Sequence, residues 1–224
     1  MGASQKGALR DLIVIGGGEH ARVVIDAVRS RLGLFRLLGF ADPAPCEETI
    51  ARMGVARLGD DAACIGLASA DVVFVSGLGT TGVGDRRASI LQPYFDAKAE
   101  FATVVHASAW VSESAQLSSG AVVLGGAQVN TGARLGAHAV VNTGAIVEHD
   151  VTLGAYVMVA PGAAIGGGAK IGDGSYVGLG ARIRDHIALG ARALVGMGAV
   201  VTADVADDVT VVGVPARPLT RRAP

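Results

Sequence analysis

The residues best placed to do chemistry are Glu148, His149 and Asp150, which close the stretch Asn142-Thr-Gly-Ala-Ile-Val-Glu-His-Asp150. An imidazole titrates near neutrality, and an adjacent carboxylate orients the ring and stabilises its charged form. An acid-flanked histidine therefore suits general-base work, the removal of a proton from an attacking group. The competing reading is a solvated surface histidine. Against it, the stretch is otherwise rich in Ala and Gly, and the residues eighteen positions away on either side, Thr131 and Gly167, are both small. Zinc is a further competitor, but a catalytic zinc site needs about three protein ligands to converge. His149 has no second His four or five positions away, and His138 and His186 share no eighteen-residue register with it. Both are expected to be plain surface residues, and no metal site is expected.

A second chemical stretch lies near the N-terminus. Asp11-Leu-Ile-Val-Ile15 is a short apolar run, Gly16-Gly-Gly-Glu-His20 a glycine turn, and Val24, Ala27 and Val28 recur at helical spacing. In that strand–turn–helix context, Gly16-x-Gly18-x-x-Ala21 fits a phosphate fingerprint whose glycines let the backbone approach a diphosphate at a helix N-terminus. A plain tight turn is the alternative. Leu37-Leu-Gly-Phe-Ala41 reads as the next strand and ends at Asp42-Pro43, where an acidic residue would meet a ribose or base. Asp42 could equally do no more than open the proline turn. A nicotinamide dinucleotide fits poorly, because too little chain remains before the next domain for a dinucleotide fold plus a catalytic domain. Asp71-Val-Val-Phe-Val-Ser-Gly77 reads as a third strand with glycines at its ligand-binding edge. Ile90, Leu91, Tyr94 and Phe95 lie at helical spacing and read as core.

The element that must position His149 is a repeat. From Val105 to Val201 a branched aliphatic residue returns every sixth position without exception, and four residues after each stands a small or apolar residue, most often Ala. A six-residue period belongs to parallel β-helix solenoids. Three hexads make one triangular coil, so residues eighteen apart stack on the same face, and seventeen hexads give five to six coils. The chain is thus expected to hold two domains: residues 1–104, an α/β Rossmann-like nucleotide-binding domain, and residues 105–224, a left-handed parallel β-helix with a C-terminal tail.

Bulk properties narrow the partners. The chain has 224 residues and a formal net charge of -1, which offers no basic surface for nucleic acid or an acidic membrane. Hydrophobic content is 50%, yet Gly and charges interrupt every apolar run, well before the roughly 18 residues a membrane span requires. Two cysteines, Cys46 and Cys64, make no disulfide framework. The stretch from Met1 to Arg10 lacks the apolar core of a cleaved signal, so a cytoplasmic location is expected.

Taken together, Val14-Ile-Gly-Gly-Gly-Glu-His-Ala-Arg22, Gly39-Phe-Ala-Asp42, Val141-Asn-Thr-Gly144, Val147-Glu-His-Asp150, Ala160-Pro-Gly162 and Gly213-Val-Pro-Ala-Arg217 give the chain a family likeness. It resembles the bacterial sugar acyltransferases that join a nucleotide-binding domain to a left-handed β-helix, namely nucleotide-linked 4-amino-sugar N-acetyltransferases and sialic acid O-acetyltransferases. The resemblance implies His149 as general base, Asp150 as its acidic partner and Asn142 as a polar residue lining the same cleft. It implies Gly167 as backbone donor to the thioester carbonyl, and the segment holding Pro215 and Arg217 as a closure over coenzyme A. Gly17, Gly18, His20 and Arg22 would hold the phosphates of the sugar nucleotide, with Asp42 near its base or ribose. Two departures stand out: Met158 occupies a position where the family often has His, and Glu19 and Arg22 replace a small residue and Lys in the phosphate loop.

The resulting expectation is an enzyme, an acetyl-CoA-dependent N-acetyltransferase that transfers directly within a ternary complex and assembles as a homotrimer. Three other readings are a sialic acid type O-acetyltransferase, a zinc carbonic anhydrase-like enzyme, and a non-enzymatic nucleotide-sugar-binding protein.

Overall fold

The computed structural model describes residues 9–31, 33–80 and 86–219. The polar opening residues up to 8 and the final residues 220–224 lie outside that range.

The N-terminal half is built on alternation. In β1 (Arg10–Ile15), Leu12 and Val14 face one side of a sheet while Ile13 and Ile15 face the other, and all four are fully buried. Burial on both faces explains why this run is continuously apolar. It is followed by α1 (Glu19–Ser30), β2 (Phe35–Ala41), α2 (Glu47–Met53), β3 (Arg57–Gly59), α3 (Asp61–Ile65), β4 (Val72–Ser76), α4 (Arg86–Asp96) and β5 (Glu100–Phe101). The five strands form one parallel sheet in the order β3-β2-β1-β4-β5. Helix α1 buries Ala21, Val24, Ile25 and Val28, a stripe at three- and four-residue spacing.

From Val104 onward the hexads become seventeen two-residue strands, ending at Val200–Val201, divided among three parallel sheets. In each strand the second residue points to the axis: Val123, Val129, Leu135, Val141, Val147, Leu153, Val159 and Ile165 form one core together with the alanine column. Strands pair at eighteen-residue offset, as in Val140 with Met158 and Ile146 with Ala164. The corners need a left-handed backbone once every six residues, and Gly supplies it at 120, 126, 132, 144, 162, 168, 174, 180 and 198. Non-glycine residues take that conformation in the same series at His138, Asp150, Tyr156, His186 and Arg192.

The three faces of the prism differ. The first presents Val104, Val122, Val140 and Met158 outward, and these are buried in one cluster with Leu12, Val14 and helix α1. The N-terminal sheet is therefore seated on this face. The second presents Trp110, Gln128, Ile146, Ala164, Arg182 and Val200, and the third Gln116, Arg134, Thr152, Lys170 and Ala188. No helix among the described residues is long and apolar enough to cross a membrane.

His138 departs from the surface position expected of it: it is 3% exposed. Its corner lies under α4 and β5. The ring stacks on Tyr156 at 5.2 Å and meets the edges of Phe95 and Phe101 at 5.3 and 4.7 Å. Arg87, also buried, donates to the carbonyl oxygens of His138 and Tyr156, so an α4 guanidinium is hydrogen-bonded to the solenoid backbone. Burial, and then the charge of Arg87, pushes the His138 pKa down to about 4. The folded protein thus keeps His138 neutral where the unfolded chain would protonate it. Its stabilising contribution is complete above pH 6.5 and is lost as pH falls toward 4, by up to about 1.4 kcal/mol per pH unit. Urea unfolding at pH 7, 6 and 5 is expected to show this decline, and His138→Phe to make it shallower without abolishing it, because burial depresses the His20 pKa to about 4 as well. An equal decline in the variant would assign the acid sensitivity elsewhere.

Candidate functional site

The strand Ile146–Val147 carries the chain into the corner Glu148-His149-Asp150, between the second and third faces. His149 Nδ1 lies 3.0 Å from Asp150 Oδ2. An ionised carboxylate only accepts hydrogen bonds, so Nδ1 carries the proton in the neutral ring and Nε2 keeps its lone pair. The contact also raises the His149 pKa, chiefly through the hydrogen bond to Asp150, with added attraction from Asp150 and Glu148 outweighing desolvation. Glu148 turns back to accept from the His149 N–H at 3.3 Å.

Glycines one coil away make room for both side chains. A Cβ at Gly167 would lie 2.4 Å from His149 Nε2, and one at Gly132 would lie 2.5 Å from an Asp150 carboxylate oxygen. The ring therefore lies across Gly167, with the side chain still 59% exposed. The N–H groups of Gly166 and Gly168 bond to Ile183 and His149, whereas that of Gly167 has no partner among the described residues. The corner thus joins a proton acceptor to a free backbone donor.

The second element of the site is a cleft of about 880 Å³ between the N-terminal sheet and the first face of the solenoid. Gly18, Glu19 and His20 line it at the start of α1, whose Gly18 cap offers no side chain to the free N–H groups. Helix N-termini with free N–H groups attract anions. Opposite stand Asn142, Thr143, Met158, Pro161, Tyr176, Leu179 and Met197. Burial, and then the charge of Arg87, pushes the His20 pKa down to about 4, so the ring is neutral at physiological pH. Its Nε2 is buried without a partner.

The expected residues divide between these places. Gly18, His20, Asp42 and Asn142 line the cleft, whereas His149, Asp150 and Gly167 occupy the next corner around the prism. Asn142 and His149 do not line one cleft within a chain. They are separated by the second face. Gly17 is not among the residues lining the cleft: its N–H donates to Asp42 Oδ2 at 2.7 Å and its carbonyl accepts from Thr49 Oγ1 at 2.6 Å. Asp42 also accepts from Ala44 N at 2.8 Å, so it shapes the turn as well as lining the cleft. Arg22 points elsewhere, within 3.2 Å of Glu48 and 3.7 Å of Glu19. Pro215 and Arg217 lie exposed in a terminal hairpin outside the cleft.

The cations that do line the cleft are Arg86 and Arg87, which the sequence reading passed over. Arg87 is committed to backbone carbonyls. Arg86 is exposed and makes no ion pair among the described residues. The available signal was a dibasic pair opening a helix just after a glycine-rich strand end. Among the described residues no three His, Cys, Asp or Glu side chains are grouped to hold a metal ion.

No protein-family model matches the chain, and no curated protein sequence does. Solved structures do. The perosamine N-acetyltransferase of Caulobacter crescentus, solved with CoA and GDP-perosamine and also with one histidine replaced by alanine, is 32% identical at a TM-score of 0.85. That match covers 96% of this chain and 99% of that one. The acetyltransferase domain of PglB from Neisseria gonorrhoeae, solved with acetyl coenzyme A, is 31% identical at a TM-score of 0.84, covering 95% and 100% of the two chains. WeeI from Acinetobacter baumannii, at 23% identity and TM-score 0.80 over 94% and 100%, shares the fold. The stacked parallel sheets fit the left-handed β-helix of such acetyltransferases.

The corner geometry makes a direct prediction. An NMR titration is expected to give His149 a pKa above the ordinary 6.5, and Asp150→Asn is expected to lower it toward that value. An unchanged titration in the variant would show that Asp150 does not hold the ring.

Proposed function

The chain belongs to the family of nucleotide-linked amino-sugar N-acetyltransferases and is an acyltransferase, and from that premise we propose that it transfers the acetyl group of acetyl-CoA to the amine of a nucleotide-linked 4-amino-deoxy sugar. The reading rests on one arrangement: a histidine whose Nδ1 is engaged by Asp150 and whose Nε2 lies over Gly167.

In the proposed step the sugar amine attacks the thioester carbonyl carbon, forming the C–N bond. His149 Nε2 takes the proton that the amine loses. The free N–H of Gly167 donates to the developing oxyanion, a contribution of about 2.7–4 kcal/mol where such donors have been removed elsewhere. The C–S bond then breaks, and the proton held by His149 neutralises the departing thiolate. No covalent enzyme intermediate is needed, and both cysteines lie outside the solenoid.

Residues 1–104 would serve as the Rossmann-like binding half and residues 105–224 as the transferring half. In the cleft, the diphosphate would meet Gly18, His20 and the start of α1, with Arg86 as counter-ion and Asp42 toward the ribose or base. The C-terminal Pro215 and Arg217 would close over the donor. A cleft of this kind suits a nucleotide-linked sugar better than the free sugar of a sialic acid type O-acetyltransferase. A reaction fed by acetyl-CoA belongs in the cytoplasm.

The two elements of the site lie on different corners of the prism, with the second face between them. We therefore assign the working site to two subunits of a homotrimer, the cleft of one chain receiving His149 of the next. The second face supplies the apolar surface for that contact, with Trp110 52% exposed on it.

His149→Ala is expected to lower kcat by roughly 10²–10⁴-fold while the fold is retained. A stronger test mixes chains. Co-expressing His149→Ala with Arg86→Ala/Asp42→Ala, each inactive alone, is expected to restore about a quarter of wild-type sites in an even mixture of a cyclic oligomer. Near-wild-type turnover in His149→Ala would remove it as the base, and absence of recovery in mixed trimers would put cleft and base in one chain.

A further inference from the structure

The N-terminal sheet touches the solenoid on both of its faces. On one, Leu12, Val14 and α1 pack against Val104, Val122, Val140 and Met158. On the other, Tyr156 packs against the cluster of Ile13, Ile15, Phe74, Leu91 and Tyr94. Apolar contact is non-directional, so neither cluster by itself fixes how the sheet is turned on the prism.

Arg87 adds the direction. The carbonyl oxygens of His138 and Tyr156 stand eighteen residues apart on consecutive coils, and neither accepts a backbone hydrogen bond among the described residues. The buried guanidinium of Arg87 donates to both, through Nη1 and Nη2. Its Cζ lies 6.0 Å from the centre of the Tyr156 ring, on which His138 stacks at 5.2 Å. No carboxylate lies within ion-pair distance of Arg87 among the described residues. A planar fork can bridge two acceptors held at fixed spacing, which a single ammonium cannot do in the same way. Gly120 and Gly174 hold the same column one coil above His138 and one coil below Tyr156, so the rings are confined to the two coils that Arg87 joins.

Arg87 also lines the cleft beside Arg86, close enough for its charge to act on His20. Gly18, His20 and Arg86 belong to the sheet's side of the cleft, whereas Asn142 and Thr143 belong to the solenoid. The distance between these walls depends on how the sheet is turned. A ligand gripped by both walls senses the Arg87 contact, and one gripped by the sheet's side alone does not.

Resting on the acyl-transfer reading above, we infer that Arg87, locked on the His138 and Tyr156 carbonyls, is a positioning residue that sets the two walls of the cleft at the spacing the sugar nucleotide requires.

The test is steady-state kinetics of the full-length protein with acetyl-CoA and the best-used of the UDP-, GDP- and dTDP-linked 4-amino-deoxy sugars, alongside calorimetric titration of the matching nucleoside diphosphate. Arg87→Lys keeps the charge and loses the fork. Tyr156→Gly removes the ring and restores the residue this column carries elsewhere, so the coil keeps its backbone. His138→Gly is a second variant of that kind. Each is expected to raise the KM for the sugar nucleotide by roughly 3- to 30-fold with kcat within about twofold. Arg87→Lys/Tyr156→Gly is expected to be no worse than the more affected single variant, because both break one contact. The nucleoside diphosphate alone is expected to bind within about twofold of wild type, since the sheet's side holds it. A fall in kcat at unchanged KM would reduce the contact to stability. An effect in Arg87→Lys that neither glycine variant shares, or a matching loss of nucleoside diphosphate affinity, would make Arg87 a direct phosphate ligand. Each of these results overturns the inference. If the wild-type protein acetylated no nucleotide-linked amino sugar, the proposed function would fall and take this inference with it, whereas failure of the positioning role alone leaves wild-type turnover intact.

Discussion

Everything on this molecule's surface is ordered by the ladder of hydrogen bonds between consecutive coils. Val140 N reaches Val157 O, Ile146 N reaches Ala163 O and Thr152 N reaches Ala169 O, each close to 2.9 Å. Each bond fixes one coil over the next, so that residues eighteen apart stand in a column. The ladder holds because the inward positions are alternately a branched aliphatic and a small residue, which together fill a narrow triangular core. A slip of one residue would turn that core outward and bury the surface set. Register here is a constraint on chemistry as much as on folding.

Because neighbours in a column touch, a large side chain on one coil dictates a missing one on the next. His149 lies over Gly167, Asp150 beside Gly132, His138 beside Gly120 and His186 beside Gly168. The corner position that defaults to glycine is the position where Asp150, His138 and Tyr156 appear. A left-handed backbone at a non-glycine residue costs on the order of 1–3 kcal/mol. It is kept at Asp150, where the carboxylate holds the imidazole, and at His138 and Tyr156, where the solenoid meets α4. Three of the five departures in that series thus mark places where the prism does more than stack.

This explains which parts could be read from the sequence. The aliphatic period fixed the solenoid, its coil count and the columns, because inward positions repeat whatever their neighbours do. The stacking of His149 beside Gly167 followed from that register and Asp150 from its adjacency, while their roles came from the family resemblance. His138 was misjudged because its burial comes from α4 and Phe101, which no six-residue period can see. Arg22 fits the phosphate motif by spacing, but on α1 it points at Glu48 on the neighbouring helix. Gly17 fits it too, yet its amide is consumed by Asp42. Arg86 belongs to no motif and enters the cleft only because α4 begins beside the strand ends. Local chemistry was legible, and the direction of a side chain relative to a distant element was not.

The seating of the N-terminal sheet has a further consequence. By covering the first face it buries Val122, Val140 and Met158 and leaves the wall of the cleft to the corner of Thr143, Pro161, Leu179 and Met197. Leu179 is 53% and Met197 78% exposed along this column, an apolar edge that a lone chain leaves in water. The imidazole that would act on anything held there is one face further round. A monomer would, on the proposed reading, hold the substrate cleft and His149 apart, each placed by the same ladder. On the proposed reading, packing copies around a threefold axis would remove both deficits at once: it would cover the apolar edge and bring one chain's Nε2 to the next chain's cleft. Assembly would then be a condition of turnover rather than an aid to stability, and the half-apolar second face, with Trp110 and Ile146, would be selected for catalysis.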